Sequence, residues 1–161
     1  MTTRQPATTL ADQPIPVKVK LAAAWTSFMF LYAYVDILNF YTPGTISDIL
    51  DGRVFEFAVS QTFSTSALTL MAIPILMIVL STTLPARVCR IGNLAVAALY
   101  VPVTVFNLAS ETWIVFYGLG VALELVLLAL ILRSAWTWPR TAQSATMATS
   151  RNRETVGAQR A

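Results

Sequence analysis

The chain has 161 residues, of which 56% are hydrophobic and 12% are charged, and its formal net charge is +3 at pH 7. With a mean hydropathy of +0.64, this composition is far from that of a soluble globular domain. It predicts an integral membrane protein of one domain and excludes a large extramembrane domain, because spanning segments of about 20 residues use up most of the chain. The net charge indicates no nucleic-acid partner, since no basic stripe is interleaved with aromatic residues.

Four apolar runs predict four membrane-spanning helices. Each run is long enough to cross a hydrocarbon core of about 30 Å at about 1.5 Å per residue. The first follows Lys20 and ends at Thr42-Pro43-Gly44, and it lacks the small-x-small cleavage site of a signal peptide. The helices are predicted at about residues 18–41, 60–84, 88–110 and 112–136. Short connections between the last three predict an all-α, up-and-down transmembrane bundle.

The basic residues predict the orientation of this bundle. Four spans place both termini on one side, and every Lys and Arg except Arg53 falls on that side. The positive-inside bias therefore predicts cytoplasmic termini. Residues 1–17 and 140–161 contain almost no large apolar side chains and are predicted to be flexible cytoplasmic tails around a transmembrane domain at 18–139. The expected partners are the lipid bilayer and either a second copy or a membrane partner protein.

The connection after the first helix is the longest one on the outer side. Its segment TISDILDG places Ile46, Ile49 and Leu50 on one side of a short helix, with Gly52 where a C-terminal cap would lie. This pattern is compatible with an amphipathic helix lying on the outer interface. A lid over a cavity below it is the alternative.

Two carboxylates lie inside the predicted spans. Asp36 and Glu124 are surrounded by apolar residues, and no Lys or Arg lies at comparable depth. An ionised side chain at such a depth is costly and needs a partner, a proton or water. Asp36 and Glu124 are therefore the first candidates for functional residues.

Polar and aromatic residues recur at steps of three and four along the predicted helices, which keeps each set on one face. Because lipid does not solvate polar groups, these stripes are expected to face one another. They comprise Trp25, Met29, Tyr32, Asp36 and Asn39 in helix one; Thr62, Ser66 and Thr69, more weakly, in helix two; Asn93, Ala97, Tyr100, Thr104 and Asn107 in helix three; and Trp113, Tyr117, Gly120, Glu124 and Leu127 in helix four.

Counting residues from the cytoplasmic charges divides the stripes into two layers about 10 Å apart. Glu124 falls in the middle layer and is expected as a neutral acid that donates a hydrogen bond to Tyr100 or to a backbone carbonyl. Asp36 falls in the outer layer and is expected to be ionised and hydrated. Two separate sites are therefore predicted. The candidate residues are Tyr32, Tyr100 and Glu124 in the middle layer, and Asp36, Asn39, Thr104 and Asn107 in the outer layer.

Other features restrict the chemistry. The chain has no His, and Cys89, predicted in the cytoplasmic connection, is its one cysteine, so His ligation, intramolecular disulfides and iron-sulfur clusters are excluded. No catalytic residue, metal site or cofactor is predicted. Pro74 and Pro102 each free a carbonyl one turn earlier, which could bind a cation or water. Gly118 and Ala122 form a small-residue seam opposite Glu124.

Several sequence strings resemble an uncharacterised family of small bacterial four-helix integral membrane proteins. These are YAYVDILNFYTPG, LMAIPILMIVLS and AWTWP, together with Arg87, Arg90, Asn93 and Glu124. The resemblance spans roughly residues 18–139, is most specific around Asp36, and implies an inner-membrane protein without an assigned activity. The family pattern has an acidic residue before the Ile-Pro of helix two, where this chain has Ala72. More loosely, the hydropathy resembles that of DoxX-like four-helix proteins, which implies a redox role that no motif here carries.

Three functions remain open from the sequence. The first is an accessory or structural membrane protein, in which the polar core only specifies helix pairing. The second is a proton- or cation-coupled carrier of small solutes that uses Asp36 and Glu124. The third is a redox or quinone-interacting subunit, the one reading that would make the protein an enzyme. A water-filled cavity open to the outside at Asp36 would favour the carrier, and a dry, fully paired core would favour the accessory protein.

Overall fold

The computed structural model describes residues 14–54, 57–108 and 113–139. These residues form five helices and one two-stranded antiparallel hairpin, in the order α1 Val17–Asn39, α2 Thr45–Leu50, β1 Arg53–Val54, β2 Phe57–Ala58, α3 Gln61–Thr83, α4 Ala86–Phe106 and α5 Ile114–Trp136. The four longer helices are long and apolar enough to cross a membrane. The predicted all-α fold with four spanning helices is therefore confirmed. Residues 1–13 and 140–161, nearly all of the two predicted tails, lie outside the described residues.

The four long helices form a ring. Helix α1 packs against α3 and α5, and α4 packs closely against α5 but only sparsely against α3. Helices α1 and α4 therefore face each other across the ring, as α3 and α5 do. We call the end that carries α2 and the strands the hairpin end, and the end where α1 begins and α5 finishes the tail end.

Local sequence accounts for where the helices begin and end. The Ser60 hydroxyl accepts a hydrogen bond from the backbone N–H of Phe63 at 3.1 Å and caps the start of α3. Leu84 is extended because it precedes Pro85, and this two-residue turn separates α3 from α4. Since α4 already begins at Ala86, Cys89 lies within a helix, fully buried, and its predicted place in the connection was wrong.

At the tail end, two basic side chains each cap the C-terminus of a neighbouring helix. The Lys18 ammonium, near the start of α1, donates to the carbonyl oxygens of Leu84 at 2.6 Å and Thr82 at 3.3 Å. Arg90, near the start of α4, donates to the carbonyl oxygen of Ala135 at 3.1 Å. Each cation satisfies carbonyls that the helix leaves unpaired and lies at the negative end of its dipole.

The tail-end half of the bundle has a paired polar core centred on Asn93. Its amide oxygen accepts hydrogen bonds from Trp25 Nε1 at 2.7 Å and from Ser81 Oγ at 3.2 Å, and its amide nitrogen donates to the Cys89 carbonyl at 2.8 Å. All four side chains are fully buried. This network joins α1, α3 and α4, as interhelical hydrogen bonds do in membrane bundles.

The carbonyl freed by Pro74 has a partner from another helix. Proline lacks an N–H, so the Leu70 carbonyl four residues earlier has no donor within α3. The Tyr100 hydroxyl of α4 donates a hydrogen bond to this carbonyl. The oxygen that the sequence offered as a cation or water ligand is thus occupied by a side chain.

The predicted short helix after α1 is confirmed as α2, and Gly52 follows it with a φ of 77°, as expected of its C-terminal cap. Ile46 and Leu50 are exposed on one side of α2, whereas Ile49 faces a cavity. Both predicted roles of this segment, interfacial helix and cavity cover, are therefore compatible with its position. The hairpin that follows was not predicted, because strands of two residues carry too little pattern to detect.

Candidate functional site

A polar cavity of about 80 Å³ lies between α1, α4 and α5 in the hairpin-end half of the bundle. It contains both intramembrane carboxylates. The residues that line it are Tyr32, Val35, Asp36, Asn39, Asn107, Tyr117, Val121 and Glu124. Five of the seven predicted site residues are therefore brought together in one place.

The close approach of α1 to α5 explains why the two carboxylates share this cavity. A Cβ atom on Gly120 would lie 3.0 Å from Val35 Cγ2, so the two positions are level and the helices nearly touch. Along the helix axes, Asp36 then lies about 1.5 Å on the hairpin side of this contact and Glu124 about 6 Å on the tail side.

Side-chain direction closes the remaining gap. The Cα–Cβ bonds of a helix tilt toward its N-terminus, and α1 and α5 begin at opposite ends of the bundle. Asp36 therefore leans toward the tail end and Glu124 toward the hairpin end, so they converge. Two separate sites were predicted from backbone rise alone, whereas both carboxylates line one cavity.

Glu124 is the most buried of the candidate acids. Its side chain is 3% exposed, and its Oε2 atom has no hydrogen-bond partner among the described residues. The Thr104 hydroxyl is fully buried beside it and also lacks a hydrogen bond of good geometry there. A buried carboxyl with an unfilled acceptor and no cation in its cavity favours a proton, a bound cation or water as its partner.

Asp36 lies in the wall of this cavity and also in the wall of a larger one. A second cavity of about 610 Å³ opens at the hairpin end, and Asp36 and Asn39 belong to the walls of both. We call this larger cavity the vestibule. Its other walls come from the α1–α2 turn, α2, the hairpin and the start of α3. Asp36 therefore links the buried Glu124 to the hairpin end.

Two exposed charges border the vestibule. Arg53 Nη2 lies 4.0 Å from Asp48 Oδ1, and both side chains are more than half exposed. An exposed ion pair of this length holds little structure in place. It does place opposite charges on the wall of the vestibule.

Aromatic packing separates the cavity from the tail end. Trp25, Phe28 and Tyr100 are fully buried and meet edge to face, with ring centroids 5.7 to 6.3 Å apart. Tyr32 continues this layer into the cavity wall, where its hydroxyl accepts a hydrogen bond from Asn107 Nδ2 at 2.9 Å. The inner cavity is thus bordered on its tail-end side by this aromatic layer.

The other predicted site residues lie nearby but have different roles. Tyr100 donates to the Leu70 carbonyl, and the described residues show no hydrogen bond between Glu124 and Tyr100. Thr104 is buried against Glu124 without lining the cavity. Tyr117 belongs to the predicted stripe of the last helix, yet it was not selected as a site residue although it lines the cavity.

The weak stripe of the second predicted helix is not part of the site. Thr62, Ser66 and Thr69 are all exposed on α3, so the expectation that they face the other stripes was wrong. The Thr69 hydroxyl instead donates to the carbonyl of Thr65 in its own helix at 2.8 Å. Such local hydrogen bonding satisfies a hydroxyl on a helix surface without an interhelical partner.

Comparison with protein-family models, with curated proteins and with solved structures finds no match for this chain. The family resemblance rests on the sequence strings alone. The described residues contain no group of three or more His, Cys, Asp or Glu that could hold a metal ion. The site must therefore be interpreted from its two carboxylates, its cavities and its buried surroundings.

Proposed function

We propose that this protein is a carrier of small solutes in a bacterial inner membrane, and that protons or small cations bind at Asp36 and Glu124 and couple to transport. The observations that carry this proposal are that Asp36 lies in the walls of both cavities and that Glu124 Oε2, in the inner one, has no hydrogen-bond partner among the described residues. A polar group used only to join helices is expected to be paired, whereas an intramembrane acid with free acceptor capacity is typical of ion and proton pathways. The basic residues favour cytoplasmic termini, which places the vestibule on the outside.

The two cavities fit different occupants. The inner cavity of about 80 Å³ has room for a few water molecules or a small cation. The vestibule of about 610 Å³ has the volume of a small-molecule site. We therefore assign the coupling ion to the inner cavity and the solute to the vestibule. The aromatic layer of Trp25, Phe28 and Tyr100 lies between the inner cavity and the tail end, and it must open for the solute and the ion to reach the tail-end side of the membrane.

The test is proton flux into proteoliposomes that enclose a pH-sensitive dye, with a pH gradient or a membrane potential imposed. We expect the Glu124→Gln variant to lose the protein-dependent flux and the Asp36→Asn variant to reduce it, because both keep the side-chain shape and remove the ionisable group. Asp51→Asn is the matched control, since Asp51 is exposed and lines neither cavity. Equal flux in all four proteins, at equal reconstitution, contradicts the proposal.

An accessory membrane protein is the second candidate, and the paired Asn93 cluster favours it. That cluster has the buried, interhelical hydrogen bonds expected of a core that only specifies helix pairing. This function predicts that Glu124→Gln and Asp36→Asn change thermal stability and leave flux at the level of empty liposomes. The same two variants therefore separate the two functions.

A further inference from the structure

A third cavity, chemically different from the other two, lies at the tail end on the lipid-facing surface between α4 and α5. It has a volume of about 500 Å³ and is lined by Leu94, Ala98, Leu132, Arg133, Trp136 and Thr137. Apart from one guanidinium and one hydroxyl at its tail-end edge, its wall is apolar. We call it the tail-end groove.

The groove matches a phospholipid head group and the adjoining part of one acyl chain in length and polarity. On α4, Ala98 lies eight residues after Arg90. The apolar part of the groove therefore extends about 12 Å into the membrane from the level of Arg90. At its mouth, Trp136 is 71% exposed, as expected for an aromatic residue at the level of the head groups. An acyl chain fits the apolar floor and a head group fits the mouth.

Charge decides which head group fits. Arg133 forms no ion pair with a described residue. The described acids, Asp36, Asp48, Asp51 and Glu124, lie in the hairpin-end half or the middle of the bundle. Within the described residues, the mouth therefore carries a positive charge without a counter-ion.

The mouth is also held in shape. Arg90 donates to the carbonyl oxygens of Ala135 and, at 3.5 Å, Trp136, which fixes the end of α5 against the start of α4. The Thr137 hydroxyl donates to the Arg133 carbonyl at 2.8 Å and fixes the last turn from which the guanidinium extends. Because these residues are already held in place, little conformational entropy is lost when a ligand binds.

We propose that the tail-end groove binds one anionic phospholipid, with an acyl chain against Leu94, Ala98 and Leu132 and the phosphate at Arg133. Guanidinium groups bind phosphate through paired hydrogen bonds, and basic pockets between spanning helices bind anionic head groups. This site is separate from the carboxylate cavity and does not depend on the proposed transport.

The experiment is native mass spectrometry of the full chain in detergent, with phosphatidylglycerol and phosphatidylcholine of the same acyl chains added separately. We expect one phosphatidylglycerol bound per chain and markedly less phosphatidylcholine. Arg133→Gln should weaken phosphatidylglycerol binding about fivefold, because a basic residue near the membrane surface contributes about 1 kcal/mol. Arg87→Gln is the matched control, since Arg87 is exposed at the same end but does not line the groove.

A second variant separates the groove from surface charge. Ala98→Phe should obstruct the apolar floor of the groove and displace the acyl chain of phosphatidylglycerol while every basic residue remains. Ala98 is exposed on α4, so this change does not enlarge a core side chain, and size-exclusion chromatography with circular dichroism checks the fold. Three results overturn the proposal: equal binding of both lipids, equal losses in the Arg87 and Arg133 variants, or a dimer of the chain that Ala98→Phe abolishes without change in bound lipid.

Discussion

The hydrogen bond between Tyr100 and Leu70 is a sharp test of how this bundle tolerates a proline in a spanning helix. Tyr100 is fully buried, and its hydroxyl is the donor for the carbonyl that Pro74 leaves without one. Tyr100→Phe removes the donor and keeps the ring. Interhelical hydrogen bonds in membrane proteins contribute about 0.6 kcal/mol on average and up to about 1.7 kcal/mol. Because lipid cannot replace the donor, we expect a loss near the upper value, about 1.5 kcal/mol.

The same substitution should cost much less in a Pro74→Ala background. Alanine restores the backbone N–H at position 74, which donates to the Leu70 carbonyl as in a regular helix. We therefore expect Tyr100→Phe to cost about 0.5 kcal/mol or less there, which gives a coupling of about 1 kcal/mol in a double-mutant cycle.

Reversible unfolding in mixed detergent and dodecyl sulfate micelles measures these free energies. Pro102→Ala is the matched control, because it removes the other mid-helix proline and leaves the Leu70 carbonyl dependent on Tyr100. An equal cost of Tyr100→Phe in the wild-type and Pro74→Ala backgrounds would refute the argument. So would a cost that falls by the same amount in the Pro102→Ala background.

Two further substitutions test the core and the site. Asn93→Leu leaves the buried Trp25 N–H and the Ser81 hydroxyl without their shared acceptor and should lower the free energy of unfolding by about 1–3 kcal/mol; an unchanged unfolding midpoint would contradict this. Gly120→Val places carbon atoms against Val35 and should cost about 1–3 kcal/mol by overpacking. It should also reduce proton flux, since α1 and α5 separate at the cavity, whereas Gly118→Val, with nothing within 4 Å of its Cβ position, should change neither unfolding nor flux.

The fold could be predicted because the signals that define it are long. Runs of about 20 apolar residues give the spanning helices from length and composition alone, and the structure has four such helices. The positions of helix ends depend on only a few residues and are predicted less accurately. The last predicted residue of the third helix was 110, whereas α4 ends at Phe106, and residues 109–112 lie outside the described residues.

The sequence predicts which residues belong to the candidate site, but not how far apart they lie. Spacing of three and four identified the inward faces of α1, α4 and α5, and Asp36, Glu124 and Tyr32 do line the cavity. The same rule failed for α3, because hydroxyl residues satisfy themselves within a helix and need no interior position. The distance between the carboxylates depends on the contact between Val35 and Gly120 on two different helices. Residue spacing within one helix does not predict such a contact.

The helix caps at the tail end have a consequence for biosynthesis. Lys18 is synthesised 64 and 66 residues before the two carbonyls that it caps, and Arg90 is synthesised 45 residues before Ala135. Both cations therefore lack their carbonyl partners while later helices enter the membrane. The α1–α3 half can close as soon as Leu84 arrives, whereas the α4–α5 half stays open until the ribosome has passed residue 136. A nascent chain stopped between these points would contain one finished helix pair and one unpaired helix, α4, whose Arg90 lacks the α5 carbonyls that it caps in the complete fold.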